Sequence, residues 1–243
     1  MFAPGTWINV TAILLGGVLG IAIRRDLSAA RQNQLRTAVG IGIILAGFHM
    51  VWTGLRPVGF GAAFGLLGIG LLATTLGRLL GKGIKLQAGM NRLGHFAGET
   101  FAKAQKRKDT VSFNDGFMAC TVLFCVGPLS LLGPVQEGLG GDPFVLMVKA
   151  AMDGLAAFAF ARVFGWSVVL AGLPVLALQG TLTLLVVLAS KNAPLPMLLH
   201  AVNVAGGLLV VCAVLLVFEV RKVQIGDYLP ALLVAPLLAW LFF

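Results

Sequence analysis

The stretch TWINVTAILLGGVLGIAI, residues 6–23, contains no ionisable side chain and is followed at once by Arg24 and Arg25. As a helix rising about 1.5 Å per residue it would be roughly 27 Å long, close to the hydrocarbon thickness of a bilayer. No basic residue precedes it, so it reads as an uncleaved first membrane helix and not as a removable signal peptide. Working outward, seven further apolar stretches follow at roughly 37–54, 60–80, 114–135, 144–163, 168–189, 197–218 and 229–243. The last is the weakest, with Pro230 and Pro236 inside it.

Composition points the same way. Of the 243 residues, 58% are apolar and 11% are charged, against about 45–50% and about 25% in soluble domains. So small a soluble body could not hide that much apolar surface. A soluble enzyme, a secreted disulfide scaffold and a disordered chain are excluded. The fold class expected is all-α: a polytopic transmembrane bundle of about eight segments forming one integral membrane domain over residues 1–243. Cys120, Cys125 and Cys212 all lie in apolar runs and read as small buried hydrophobes.

The charges between the stretches test the count independently. The odd-numbered connections hold fifteen Lys and Arg residues, and the even-numbered ones hold only Arg56 and Lys191, with the acidic Glu137 and Asp142. Basic residues favour the cytoplasmic side, so both termini are expected to face outward from a bacterial cytoplasmic (inner) membrane. The net charge of +9 is then a topology signal, not a sign of nucleic-acid binding. Trp7, Trp52, Trp166 and Trp240 fall near predicted helix ends, where amphipathic rings settle at the interface.

In the longest connection, Leu86, Met90, Leu93, Ala97, Phe101 and Ala104 recur at helical spacing, covering about a quarter of the helical wheel. Lys85, Arg92, Glu99, Lys103 and Lys106 take the other side. This predicts an amphipathic helix over about 84–104, lying on the cytoplasmic leaflet or packed against helix ends. Small-residue spacings at Gly16 and Gly20, and at Gly61 and Gly65, are read as packing positions. Glycine-rich faces of this kind also give a second copy of the chain a surface to pack on.

No G-x-S-x-G, Walker loop, H-E-x-x-H or C-x-x-C motif occurs. Cys120 and Cys125 stand roughly 140° apart around a helix, too far to share a metal easily, and the three histidines are scattered. No catalytic residue, metal site or cofactor is expected. The costly residues are instead Lys149 and Asp153, in the run Val148–Lys149–Ala150–Ala151–Met152–Asp153–Gly154. Asp153 lies about 15 Å inside its helix, where an ionised carboxylate costs at least about 2.5–3.5 kcal/mol. A spacing of four puts both side chains on one face, where they can pair. Structurally, the lysine would reach outward and the aspartate would join helices; functionally, the two would form a solute or proton site.

The fourth stretch carries Phe124–Cys125–Val126–Gly127–Pro128. Pro128 lacks an amide hydrogen and clashes with the carbonyl of Phe124, so a straight helix is not expected there. Broken helices at membrane depth build transporter sites, and many such kinks are only structural. Asn114–Asp115–Gly116 reads as an N-cap. Asn9, Gln179 and Asn203 are isolated amides in apolar runs, explained by interhelical hydrogen bonds or by a place on a pathway. The Asp and prolines shared by stretches four and eight would suit two parallel four-helix halves.

These motifs resemble the YqgA/YdfK-like family of bacterial inner-membrane proteins of unknown function. The resemblance rests on Gly5–Thr6–Trp7–Ile8–Asn9, on Asp115–Gly116–Phe117 through Phe124–Cys125–Val126–Gly127–Pro128, and on Gly138–Leu139–Gly140–Gly141–Asp142 with Lys149 and Asp153–Gly154. Gln179–Gly180 and Leu229–Pro230–Ala231–Leu232 complete it. Asp227–Tyr228 stands where Asn-Leu is more usual, and Ala150 where a small hydroxyl residue is common. The resemblance implies a location and a topology, and no activity.

The reading favoured by the residues is a transporter or channel for a small solute or ion. Its pathway candidates are Lys149, Asp153, Cys125, Gly127, Pro128, Asn9, Gln179 and Asn203, and its partners are the lipid bilayer and that solute. The rival is a structural or regulatory membrane protein whose buried polar residues only hold helices together.

Overall fold

A computed structural model of the chain describes residues 3–23, 28–106, 113–190, 196–218, 220 and 223–243. The described residues form helices and turns, with no strand among them. The helices are α1 Pro4–Ala22, α2 Ala29–Leu55, α3 Phe60–Gly83, α4 Leu86–Lys106, α5 Phe113–Cys125 and α6 Pro128–Gly140. They continue as α7 Phe144–Phe164, α8 Trp166–Leu170, α9 Gly172–Ser190, α10 Pro196–Val217 and α11 Ala231–Phe242, with a 3-10 turn at Ile225–Tyr228 before the last. Among the described residues, seven helical segments are long and apolar enough to cross a membrane, α8 and α9 together forming one of them. The pair α5–α6, bent by 56°, passes the same test when its two helices are taken together, which makes eight candidate segments if it counts as one span.

The protein is a multi-pass α-helical membrane protein. Its outward-facing side chains are themselves apolar: Phe48, Phe64, Leu71, Leu79, Leu185 and Trp240 are all exposed. Such a surface suits hydrocarbon and not water. The four tryptophans stand exposed at or near helix ends, as expected.

The chain forms two compact units that are not consecutive in sequence. One comprises Met1–Ala29 with Gly89–Val187, the other Ala30–Ala88 with Leu188–Phe243. Thus α1 groups with α5–α9, while α2 and α3 group with α10 and α11.

Within the first unit, α1 and α7 run parallel at very close range. A Cβ on Gly16 would strike the carbonyl oxygen of Gly154, and one on Gly20 that of Phe158. The spacing of four on both helices keeps them in register, and only a missing side chain permits the approach. In the second unit α3 and α11 are antiparallel, since Gly77 abuts Ala231 and Gly81 abuts Asp227. Helices α2 and α10 are antiparallel too, with Gly47 and Gly207 each against the other's carbonyl. Gly61 corrects its expectation: a side chain there would meet open space, while Gly65 does pack, against the Phe243 ring.

Helix α4 matches the predicted amphipathic segment. Ala97 and Ala104 are buried, and the Phe101 ring meets those of Phe160 and Phe164 edge-on, at centroid distances of 4.9 and 5.8 Å. Its apolar face thus packs on α7 over this part, whereas Leu93 and Phe96 are exposed. The start of α4 is capped by buried Asp227, whose Oδ1 accepts from the Gln87 amide at 2.9 Å. The Gln87 side chain returns the bond, its Oε1 accepting from the Gly226 amide at 2.7 Å. A carboxylate suits this place because the first amides of a helix lack helical partners. Asn114, Asp115 and Gly116 stand at the start of the described part of α5, Phe113–Cys125; the residues before it lie outside the described ones.

Candidate functional site

The site grows from a single missing hydrogen. In a continuous helix the carbonyl of Phe124 would accept from the amide of residue 128, but Pro128 has none. The chain takes an extended step at Gly127 (φ −68°, ψ 151°) and restarts as α6 with Pro128 at the first turn, where proline fits well. The freed Phe124 carbonyl then accepts from Ser130 Oγ at 2.9 Å and from Lys149 Nζ at 3.0 Å. A lysine from α7 thus completes a backbone polar group at the break of the fourth span.

Lys149 also pairs with Asp153 one turn along α7, as the spacing of four requires. Asp153 Oδ2 accepts in addition from Asn9 Nδ2 of α1 at 3.1 Å. The same amide nitrogen donates to Gln179 Oε1 of α9 at 3.2 Å. All four side chains are buried; Lys149 is 4% exposed, Asp153 8%, and Asn9 and Gln179 are at 0%. Four helices (α1, α5, α7 and α9) therefore contribute to one polar cluster inside the first unit.

The carboxylate dictates how the amides lie. Facing Asp153, Asn9 must present its NH2 group, and Gln179 must then present its oxygen to Asn9. Asn9 Oδ1 and Gln179 Nε2 are left without a hydrogen-bond partner. One open acceptor and one open donor thus stand in wholly buried side chains, where nearly every polar atom is normally paired.

The structure brings together Lys149, Asp153, Asn9 and Gln179, with Gly127 and Pro128 forming the break they adjoin. Cys125, half-buried, ends α5 beside that break. Asn203 is not part of the cluster: it belongs to α10 in the other unit, where it packs near Gly54 and its Oδ1 is unpartnered.

Sequence reasoning missed Glu137. It was counted among the connections, but it lies in α6, 3% exposed, one turn before the helix ends. Its carboxylate accepts from the Gly5 amide in the first turn of α1, from Thr6 Oγ1 at 3.3 Å and from Thr183 Oγ1 of α9 at 3.4 Å. The signal was present in Gly140–Gly141–Asp142–Pro143. Gly141 takes the left-handed conformation (φ 70°) that closes a helix, and such a stop places Glu137 inside it. Among the described residues no group of three His, Cys, Asp or Glu side chains could hold a metal ion.

Comparison with known proteins covers almost the whole chain. "Uncharacterized protein YqgA" of Escherichia coli (strain K12) is 31% identical over 233 residues, 95% of this chain and 94% of that protein. "Uncharacterized membrane protein YdfK" of Bacillus subtilis (strain 168) is 26% identical over 232 residues, 96% of this chain and 93% of that protein. No solved structure matches. With residues 4–240 matching its model, the chain belongs to the family described as "Protein of unknown function (DUF554)".

Proposed function

We propose that this membrane protein carries a small solute or ion through its first unit, at the cluster of Lys149, Asp153, Asn9, Gln179 and the Phe124 carbonyl. The observation that carries the reading is a buried lysine bonded at once to an aspartate and to the free carbonyl of a broken membrane helix. Adhesion between helices needs no such group. A neutral amide supplies about 0.6 kcal/mol of interhelical bonding, whereas each charge at the bilayer centre costs about 2.5–3.5 kcal/mol or more. A buried ion pair is commonly no better for stability than apolar side chains of the same volume. The open acceptor of Asn9 and open donor of Gln179 supply further contacts for a polar guest. Lys149 suits an anionic group of that guest, and Asp153 a cationic one or a proton. The reading assigns no catalytic step.

We infer in addition that the membrane is the bacterial cytoplasmic (inner) membrane, with both termini outside. The fifteen-to-two division of basic residues between odd and even connections supports this, as does the bacterial origin of the relatives.

Flux measured in proteoliposomes against a panel of ions, organic acids and amino acids tests the proposal. The wild type should move at least one of them, and Asp153→Asn should lose that flux at least about tenfold at equal incorporation. The competing reading, helix adhesion alone, draws support from the way the Lys149–Asp153 pair closes on itself. It requires that Asp153→Asn change only thermal stability and that no solute move.

A further inference from the structure

We propose that one face of α4, carrying Arg92, Leu93, Phe96 and Lys103, is a binding surface for anionic phospholipid. It stands apart from the Lys149–Asp153 cluster and does not rest on the transport reading.

Depth is the first argument. Ala97 and Phe101 line a small apolar cavity with Ala119 and Cys120 of α5 and with Phe160 and Phe164 of α7. Phe164 ends α7, and Cys120 follows Phe113, where the described part of α5 starts, by seven residues, about 10 Å along the helix. The middle of α4 is therefore held within about 10 Å of the ends of two apolar helices. Amphipathic helices seat their apolar side chains at that level, about 5–10 Å into the boundary between headgroups and acyl chains.

The second argument is the chemistry of the uncovered face. Leu93 is 46% exposed and Phe96 42%, beside the packed stripe of Ala97 and Ala104. Arg92 and Lys103, both exposed, precede and follow Phe96 by four and seven residues, so they share its side of the helix. Acyl chains suit the two apolar side chains, while the basic ones lay their stems along them and carry their charges up to the phosphates. Residues 82–112 hold seven Lys and Arg against Glu99 and Asp109, and Glu99 shares the basic side of α4. Anionic headgroups complement that excess and zwitterionic ones do not. A second copy of the chain, docked face to face, would set two such basic surfaces against each other, which like charge opposes.

A bimane fluorophore on Gly89→Cys, in a full chain lacking Cys120, Cys125 and Cys212, reads the lipid at this face. Gly89 stands one turn before Leu93, and a side chain there meets nothing. The protein is placed in nanodiscs of equal parts phosphatidylcholine and phosphatidylglycerol, with bromine carried by one lipid or by the other. Quenching by brominated phosphatidylglycerol should exceed that by brominated phosphatidylcholine about twofold or more. Arg92→Gln with Lys103→Gln should bring the two to parity, and bimane on lipid-facing Leu185→Cys should show parity from the start. Equal quenching in the parent, an excess that survives the double substitution, or the same excess at residue 185 would overturn the proposal. Quenching by neither lipid would overturn it as well, since another occupant, such as a second copy, would then cover the face. Should the double variant not assemble, salt decides: raising it from about 0.05 to about 1 M should remove the excess, and persistence of the excess overturns the proposal equally.

Discussion

Lys149 Nζ lies 3.0 Å from the carbonyl oxygen of Phe124, the one carbonyl of the fourth span that Pro128 deprives of its helical partner. The defect in one helix and the charge in another are thus complementary. A hydrogen bond to a charged group contributes about 1.5–3 kcal/mol, which offsets part of what burying the ammonium costs. The remaining compensation comes from Asp153, itself steadied by Asn9.

Pro128→Ala restores an amide hydrogen that competes with Lys149 for the Phe124 carbonyl. The expected outcome is a straighter fourth span. Spin labels at residues 114 and 140 should move apart by about 4–5 Å, the difference between a straight rod of that length and one bent as observed. Electron–electron resonance distances check this; an unchanged separation would mean that the bend is held by packing and not by the missing hydrogen.

Two glycines of similar appearance in the sequence should respond oppositely to alanine. At Gly16 a methyl group runs into the backbone of Gly154, and at Gly61 it meets nothing. Gly16→Ala should destabilise the protein by about 1–3 kcal/mol, the usual range for overpacking. Gly61→Ala should stay within about 0.5 kcal/mol of wild type. Thermal unfolding in detergent, compared at matched purity, reads both.

Much of this was legible in the sequence, for identifiable reasons. The spans follow from hydropathy, because lipid imposes one length on every crossing helix. The break follows from Gly127–Pro128, and the Lys149–Asp153 pair from a spacing of four on one helix. Those are local facts. Which helices assemble around them is not local: Asn9, Gln179 and Asn203 look alike in the sequence, yet the first two share a cluster and the third lies in the other unit. Glu137 escaped because the apolar run ends at residue 135, and its partners come from residues 5, 6 and 183. Likewise the close approach of α1 to α7, visible as Gly16 and Gly20, carries no label for the helix they meet.

Topology supplies a separate check. Reporter fusions at residues 30 and 105 should report cytoplasm, and one after Phe243 should report the outer face. A cytoplasmic signal at the C-terminus would mean that the last apolar stretch is re-entrant or peripheral, leaving seven spans.

The central claim is that the Asn9–Gln179–Asp153–Lys149 cluster is reached by solute and is not sealed adhesive. It is tested most directly by introducing Gln179→Cys into a chain lacking Cys120, Cys125 and Cys212, and treating it in membranes with a charged, membrane-impermeant thiol reagent. A solute pathway predicts that Cys at 179 is modified, more slowly than Cys introduced at Asp142 outside the helices but far faster than Cys introduced at lipid-facing Leu185. Modification at 179 no faster than at 185, with Cys at 142 fully modified, would contradict the account.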